Sequence, residues 1–271
     1  MLIKMSMSFL NEVLKEKRAL VKDLKQKMPL QELKKVVRGV EKRPFFKTFS
    51  KRFPKEVRII AEVKRASPSR GVLIHNLDLP MLVSEYEKGG ASAISVITEE
   101  KHFRGCLSYI TETKNITGLP VLRKDFIVDE YEVYESKAFG ADAVLFIGEV
   151  LEEGQIKDYL NIAAEIDIDV LLEIHRLDSY EKVADLKGFI LGINNRDLET
   201  LKVDLSTSLE ILDSIPADLP VIVESGIERR EDIERFAEKG VSGFLVGTSL
   251  VVSKDMAGGL KGLRGINEDN G

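Results

Sequence analysis

The sequence predicts an α/β protein, a (β/α)8 TIM barrel with an extra N-terminal helical segment, and three observations lead there. Eight short apolar, β-branched segments recur at a spacing of roughly 20 to 30 residues, and helix-like runs closing on glycine lie between them. The charged and amide residues within those segments gather at their C-terminal ends, where barrels of this kind place their chemistry.

The first element is an arm. Residues 1 to 57 of the 271-residue chain hold 16 Lys+Arg against 6 Asp+Glu, net +10, whereas residues 58 to 271 hold 24 against 39, net -15. The stretch "FLNEVLKEKRALVKDLKQKM" predicts an amphipathic helix, with Leu10, Val13, Leu14, Val21 and Leu24 on one side and lysines on the other. Basic helices also grip nucleic acid or membrane surfaces, but no aromatic residues interleave these charges as single-strand binding requires. The arm is therefore read as a helical extension packed on a barrel of residues 58 to 271. Deleting residues 1 to 40 is expected to raise KM more than it lowers stability, because the arm's charge would help hold an anionic substrate.

The strands follow in order: "RIIAEVK" (58 to 64), "ASAISVIT" (91 to 98), "PVLRKDF" (120 to 126), "AVLFI" (143 to 147), "DVLLEIH" (169 to 175), "FILGIN" (189 to 194), "PVIVES" (220 to 225) and "GFLVG" (243 to 247). Between them, "LPMLVSEYEKGG", "DEYEVYESKAFG" and "RREDIERFAEKG" read as helices with a glycine suited to a C-cap. An open Rossmann-like sheet is the other arrangement of such alternation. No G-x-G-x-x-G follows the first strand, and "KRASPSRG" has its only glycine at the far end.

Composition excludes several functions. At 44% hydrophobic and 31% charged the chain is globular rather than disordered, and no window approaches a membrane span. The single cysteine, Cys106, forms no internal disulfide, and a reducing cytoplasm fits that usage. His75, His102 and His175 lie without metal-ligand spacing, so no metal is expected. Cys106 follows His102 by four residues, but with no orienting third group in view it reads as an ordinary loop thiol. No partner other than a small molecule is implied, and a monomer is expected.

The chemistry sits at the strand ends. Glu62 and Lys64 break an apolar strand two positions apart, so both fall on one face, and buried charges are costly unless paired or used. Lys124, Glu173, Asn194, Glu224 and Ser225 end later strands, giving acids and bases that converge on one mouth. Gly226 after the seventh strand, with Gly247 and Thr248 after the eighth, stand where such barrels bind phosphate through backbone N-H groups. Arg196 of "NNRD" adds a guanidinium.

These residues carry a family resemblance. "IIAEVKRASPS", "VLRKDFI", "LLEIH", "GINNRDLETL", "VIVESGI" and "FLVGTSL" resemble, in order, the strand-end motifs of indole-3-glycerol phosphate synthase, the ring-closing decarboxylase of tryptophan biosynthesis. The match runs from about Phe9 to about Val252, and the family carries an extra N-terminal helix near the mouth. The resemblance implies 1-(2-carboxyphenylamino)-1-deoxyribulose 5-phosphate as substrate and no cofactor. It implies Lys124 as general acid and Glu173 as general base, with Glu62, Lys64 and Asn194 completing the polar set. Arg196, Ser67, Glu224, Ser225, Gly226, Gly247 and Thr248, with charge from Lys64, would hold the substrate and its phosphate. Pro68, Phe103, Phe126, Leu145, Ile147 and Leu198 would wall its aromatic ring, since the chain has no tryptophan to stack on it.

Two alternatives stay open at this point. A class I aldolase-like barrel would use Lys124 or Lys64 as a Schiff-base amine toward a phosphorylated ketose. A non-enzymatic barrel would keep only a phosphate pocket, with the arm binding RNA or a membrane.

Overall fold

The computed structural model describes residues 3–50, 57–198, 200–236 and 239–266, with side chains from Phe9 onward. Eight parallel strands close into a barrel: β1 (Ile59–Val63), β2 (Ala93–Ile97), β3 (Val121–Lys124), β4 (Ala143–Ile147), β5 (Asp169–Ile174), β6 (Ile190–Asn194), β7 (Val221–Glu224) and β8 (Gly243–Val246). β1 closes the ring by pairing β8 in the register Ile59 with Phe244, Ile60 with Leu245 and Ala61 with Val246. The strands lie where the apolar segments predict, trimmed at the ends because the polar terminal residues leave the ladder for the mouth. In the Leu79–Lys88 and Glu130–Ala138 helices the chain exits through Gly90 (φ +82°) and Gly140 (φ +90°), left-handed positions that glycine fills without strain.

Strand alternation then sorts every side chain. Val63, Ile94, Val96, Val144, Phe146, Val170, Leu172, Leu191, Ile193 and Val223 point outward and meet the helices in the larger apolar core. The inward set forms a second core of Ile60, Ala93, Leu122, Ala143, Leu145, Ile147, Leu171, Ile190, Ile222 and Leu245. Two residues on from Ile60, Leu122, Leu171 and Ile222, the same faces present Glu62, Lys124, Glu173 and Glu224. One parity therefore gives these four strands an apolar inner stretch and a polar end at the mouth.

The arm does more than cover a side. α1 (Ile3–Lys27) and α2 (Leu30–Val36) pack through Leu14, Val21, Leu33 and Val37 onto Val128, Tyr131 and Tyr134. α3 (Phe45–Phe49) drives Phe45 and Phe49, both fully buried, into the inward core from the end opposite the mouth. Carboxylates at the strand starts hold that plug: Arg43 N-H donates to Asp142 Oδ1 at 2.6 Å, and Phe46 N-H to Asp169 Oδ2 at 2.7 Å.

Part of the arm's positive charge is spent on the barrel. Lys42 pairs with Asp169 at 2.9 Å, Lys25 with Asp129 at 2.7 Å, and Lys17 with both Asp125 at 3.0 Å and Glu132 at 2.8 Å. Lys17 is buried in a cluster with Arg123, whose guanidinium meets Asp125 at 3.2 Å and Glu135 at 2.9 Å. This alters the expectation for the arm: removing residues 1 to 40 strips Asp125 and Glu132 of a buried cation, so stability falls along with any effect on KM. Among the described residues, no helix is long and apolar enough to cross a membrane.

Candidate active site

A cavity of about 420 Å³ opens at the C-terminal ends of the strands. All eighteen residues singled out in the sequence as catalytic, substrate-holding or ring-walling line it: Glu62, Lys64, Ser67, Pro68, Phe103, Lys124, Phe126, Leu145, Ile147, Glu173, Asn194, Arg196, Leu198, Glu224, Ser225, Gly226, Gly247 and Thr248. Phe9 and Leu10 of α1 close one side, which places the arm at the mouth as well as at the floor.

The polar floor consists of two linked ion pairs. Lys124 Nζ lies 2.5 Å from Glu173 Oε2 and 3.0 Å from Glu224 Oε2, while Lys64 Nζ lies 2.6 Å from Glu62 Oε1. The two lysines thus have different partners, a division that sequence could not assign. Burial alone would strip Lys124 of its proton, but Glu173, Glu224 and Glu62 outweigh it, so its ammonium holds its proton more tightly than an ordinary lysine. Burial likewise pushes Glu173 up, yet Lys124 and then His175 pull it well below the usual carboxylate range. Glu224 goes the other way: burial raises it and the neighbouring Glu173 charge adds to that, so Lys124 only partly compensates. Of two carboxylates sharing one ammonium, Glu173 is the ionised one and Glu224 the more readily protonated.

Two glycines make room for these acids. A Cβ on Gly192 of β6 would stand 2.5 Å from Glu224 Oε1, and a Cβ on Gly247 would collide with the Glu62 carboxylate. Gly247 therefore clears space for a carboxylate as well as lining the cavity. Gly192→Ala is expected to fold and to lower kcat/KM by about 10- to 100-fold, because a misplacement of about 1 Å costs that much. Kinetics with a thermal melt check this; full activity would show that the Glu224 position is unimportant.

The backbone after β7 is sharply turned. Ser225 (φ +64°) and Gly226 (φ +81°) are consecutive left-handed residues, which for serine is strained. Asn195 holds that turn: its Nδ2 donates to Glu224 O at 3.1 Å and to Ser225 O at 3.0 Å. Arg196 gives Nη1 to Leu201 O at 2.9 Å and so ties its own loop while lining the cavity. Thr248 opens a short helix, Thr248–Val251, behind Gly247.

On the opposite wall the "RASPSRG" loop is an ordered hairpin pairing Ala66–Ser67 with Gly71–Val72. Ser67 Oγ accepts Arg70 N-H at 3.2 Å within this turn. Glu99 accepts the N-H groups of His102 at 2.8 Å and Phe103 at 2.9 Å, which sets Phe103 6.3 Å from Phe126, centroid to centroid.

Sequence reasoning missed Asn195, Arg70, Glu99, Gly192 and Ser249. Only the double Asn of "NNRD" and the glycine inside "FILGIN" were visible signals. Cys106 Sγ meets Ser108 Oγ at 3.2 Å, and His102 turns to Glu16 at 3.2 Å, so no Cys-His pair forms. Among the described residues, Glu12, Glu16 and His102 form one group with metal-ligand proximity. It comes from two elements, which is why spacing did not reveal it, and Lys101 already pairs with both carboxylates.

A family model described as indole-3-glycerol phosphate synthase matches residues 10–263. The chain belongs to the indole-3-glycerol phosphate synthase family. The indole-3-glycerol phosphate synthase of Chlorobium chlorochromatii is 37% identical over 251 residues, covering 92% of this chain and 98% of that protein. That of Caldanaerobacter subterraneus subsp. tengcongensis is 42% identical over 242 residues, covering 89% and 93%. A crystal structure of 3-hexulose-6-phosphate synthase superposes with a TM-score of 0.64 at 18% identity, covering 78% of this chain and 99% of that one. That likeness is one of fold. The family membership accounts for the order of motifs around this mouth.

Proposed function

We propose that this cavity closes the indole ring of 1-(2-carboxyphenylamino)-1-deoxyribulose 5-phosphate, with loss of carbon dioxide and water, to give indole-3-glycerol phosphate. The observation that carries the reading is the Lys124 ammonium fixed between Glu173 and Glu224 within a cavity of about 420 Å³ at the barrel mouth.

An electron-rich aryl carbon must attack a ketone, so the carbonyl oxygen needs a proton donor at hand. Lys124 supplies it once the substrate draws the ammonium from its carboxylates. Decarboxylation sends its electron pair into the cationic nitrogen formed on ring closure, so the substrate is its own electron sink. The final loss of water needs a base for the ring proton and an acid for the departing hydroxyl. Glu173, the ionised carboxylate, is the base; Lys64, beside Glu62, stands close enough to serve the hydroxyl or the substrate's anionic groups. Asn194 and Glu224 orient the reacting end, Ser225, Gly226, Gly247, Thr248 and Arg196 hold the phosphate, and Ser67 and Pro68 face them across the mouth. Phe103, Phe126, Leu145, Ile147 and Leu198 enclose the aryl ring. The same reading takes the enzyme to be a cytoplasmic monomer, in keeping with its single cysteine.

The aldolase-like alternative requires a neutral amine, and a lysine whose proton is held by two carboxylates is a poor nucleophile. Borohydride added during turnover is therefore expected to leave the mass of the protein unchanged. A reduced substrate adduct on Lys124 or Lys64 would support the Schiff-base reading instead.

A further inference from the structure

We propose that Glu149 and His175 are a positioning pair that holds Glu173 from behind and keeps it ready as a base, a role that rests on the assignment of Glu173 above. Neither residue lines the cavity, and both lie just past strand ends, Glu149 after β4 and His175 after β5. The His175 ring is buried, with its side chain 3% exposed. Its backbone N-H donates to Glu149 Oε1 at 2.8 Å, and its Nδ1 lies 3.2 Å from Glu149 Oε2, so both oxygens of one carboxylate fix the imidazole. The other ring nitrogen, Nε2, lies 3.3 Å from Glu173 Oε1 and has no aligned hydrogen-bond partner.

With Nδ1-H given to Glu149, Nε2 faces a carboxylate oxygen. Two lone pairs do not face each other favourably across such a gap, so the line from Nε2 to Oε1 carries one proton. Burial raises the Glu149 carboxyl, but its contacts with His175 draw it below the usual range, so carboxylate and ring are held to each other. The pair matters most during the reaction. When Lys124 turns to the carbonyl, Glu173 loses its 2.5 Å ammonium contact, and the His175 ring 3.3 Å from its other oxygen keeps it in place until it takes the ring proton. Among the described residues, the charged groups in contact with the ring are Glu149 and Glu173, and beyond Glu173 lie the side chains of Lys124 and Glu224. Lys182, on the following helix, is held by the carbonyls of Gly148 and Leu151.

Glu149→Gln and His175→Asn test this in the full-length enzyme, with Glu173→Gln as control. Both are expected to lower kcat near neutral pH by about 10-fold, with KM changed less than about threefold. Both should move the acid limb of the kcat profile to higher pH by about one unit, since loosening the ring that holds a buried carboxylate makes that carboxylate easier to protonate. Glu149→Asp should restore part of the limb's position. If His175→Asn does not fold, Glu149→Gln, which keeps the shape of the side chain, carries the test. An unmoved acid limb in folded Glu149→Gln, with Glu173→Gln inactive, would overturn the pair's role and leave Glu173 as base. An active Glu173→Gln would overturn the base assignment, and the pair's role with it.

Discussion

Lys124→Arg is expected to lower kcat by about 100-fold or more, with KM changed much less, the size of effect that follows loss of a general acid. Arginine keeps the positive charge against Glu173 and Glu224, so the ground-state electrostatics of the floor survive. Its guanidinium, however, effectively never releases its proton, and its planar fork replaces a compact donor. Glu173→Gln should show the same pattern, because the amide fills the same space and cannot accept the ring proton. Lys64→Arg should act more through KM, since Lys64 pairs with Glu62 at 2.6 Å and contributes charge that arginine also supplies. Steady-state kinetics with melting curves check all three. If Lys124→Arg kept near-full kcat while Lys64→Arg abolished it, the roles of the two lysines would be exchanged.

Lys17→Ala is expected to destabilise the fold by about 3 kcal/mol, because removing one partner of a buried ion pair leaves uncompensated charge. Glu132 loses an ammonium at 2.8 Å and keeps the Val128 N-H at 2.8 Å and the Arg123 guanidinium at 4.0 Å, while Asp125 retains Arg123 at 3.2 Å. The pH dependence has a definite sign. Burial raises the Asp125 carboxyl, but Lys17 and then Arg123 take it below its ordinary value, so this stabilisation is present above about pH 4 and is lost as pH falls further. The difference in stability between wild type and Lys17→Ala should therefore narrow in acid. Denaturant titrations at pH 7 and pH 3 measure it, and equal differences at both would mean that packing, not charge, is what Lys17 contributes. Because Asp125 directly follows Lys124, the same variant should also lower activity in the protein that stays folded.

The barrel could be read from the chain because its two determinants are local. Apolar runs of four to six residues make the strands, and parity along each run decides which side chains reach the mouth, so Glu62, Lys124, Glu173 and Glu224 could be placed together before any coordinates. What lay beyond reach was pairing across the sequence. Lys17 meets Asp125 across 108 positions, and the Phe46 N-H meets Asp169 across 123, and nothing in the arm's composition separates a solvated lysine from a buried one. Glu149 stayed hidden for the same reason: in "FIGEVLEEG" it is one of three glutamates in a polar loop, and only the parallel register of β4 and β5 brings it onto His175. The left-handed Ser225 was invisible as well, since serine gives no cue to positive φ.

Cofactor-free closure of an indole ring at this mouth is open to a direct measurement. Purified protein, dialysed and held in EDTA, is mixed with 1-(2-carboxyphenylamino)-1-deoxyribulose 5-phosphate, and indole fluorescence is followed alongside released carbon dioxide. Indole and carbon dioxide are expected in equal amounts, with no lag and no need for added metal. No indole at any protein concentration, or indole only after a divalent ion is restored, would contradict it.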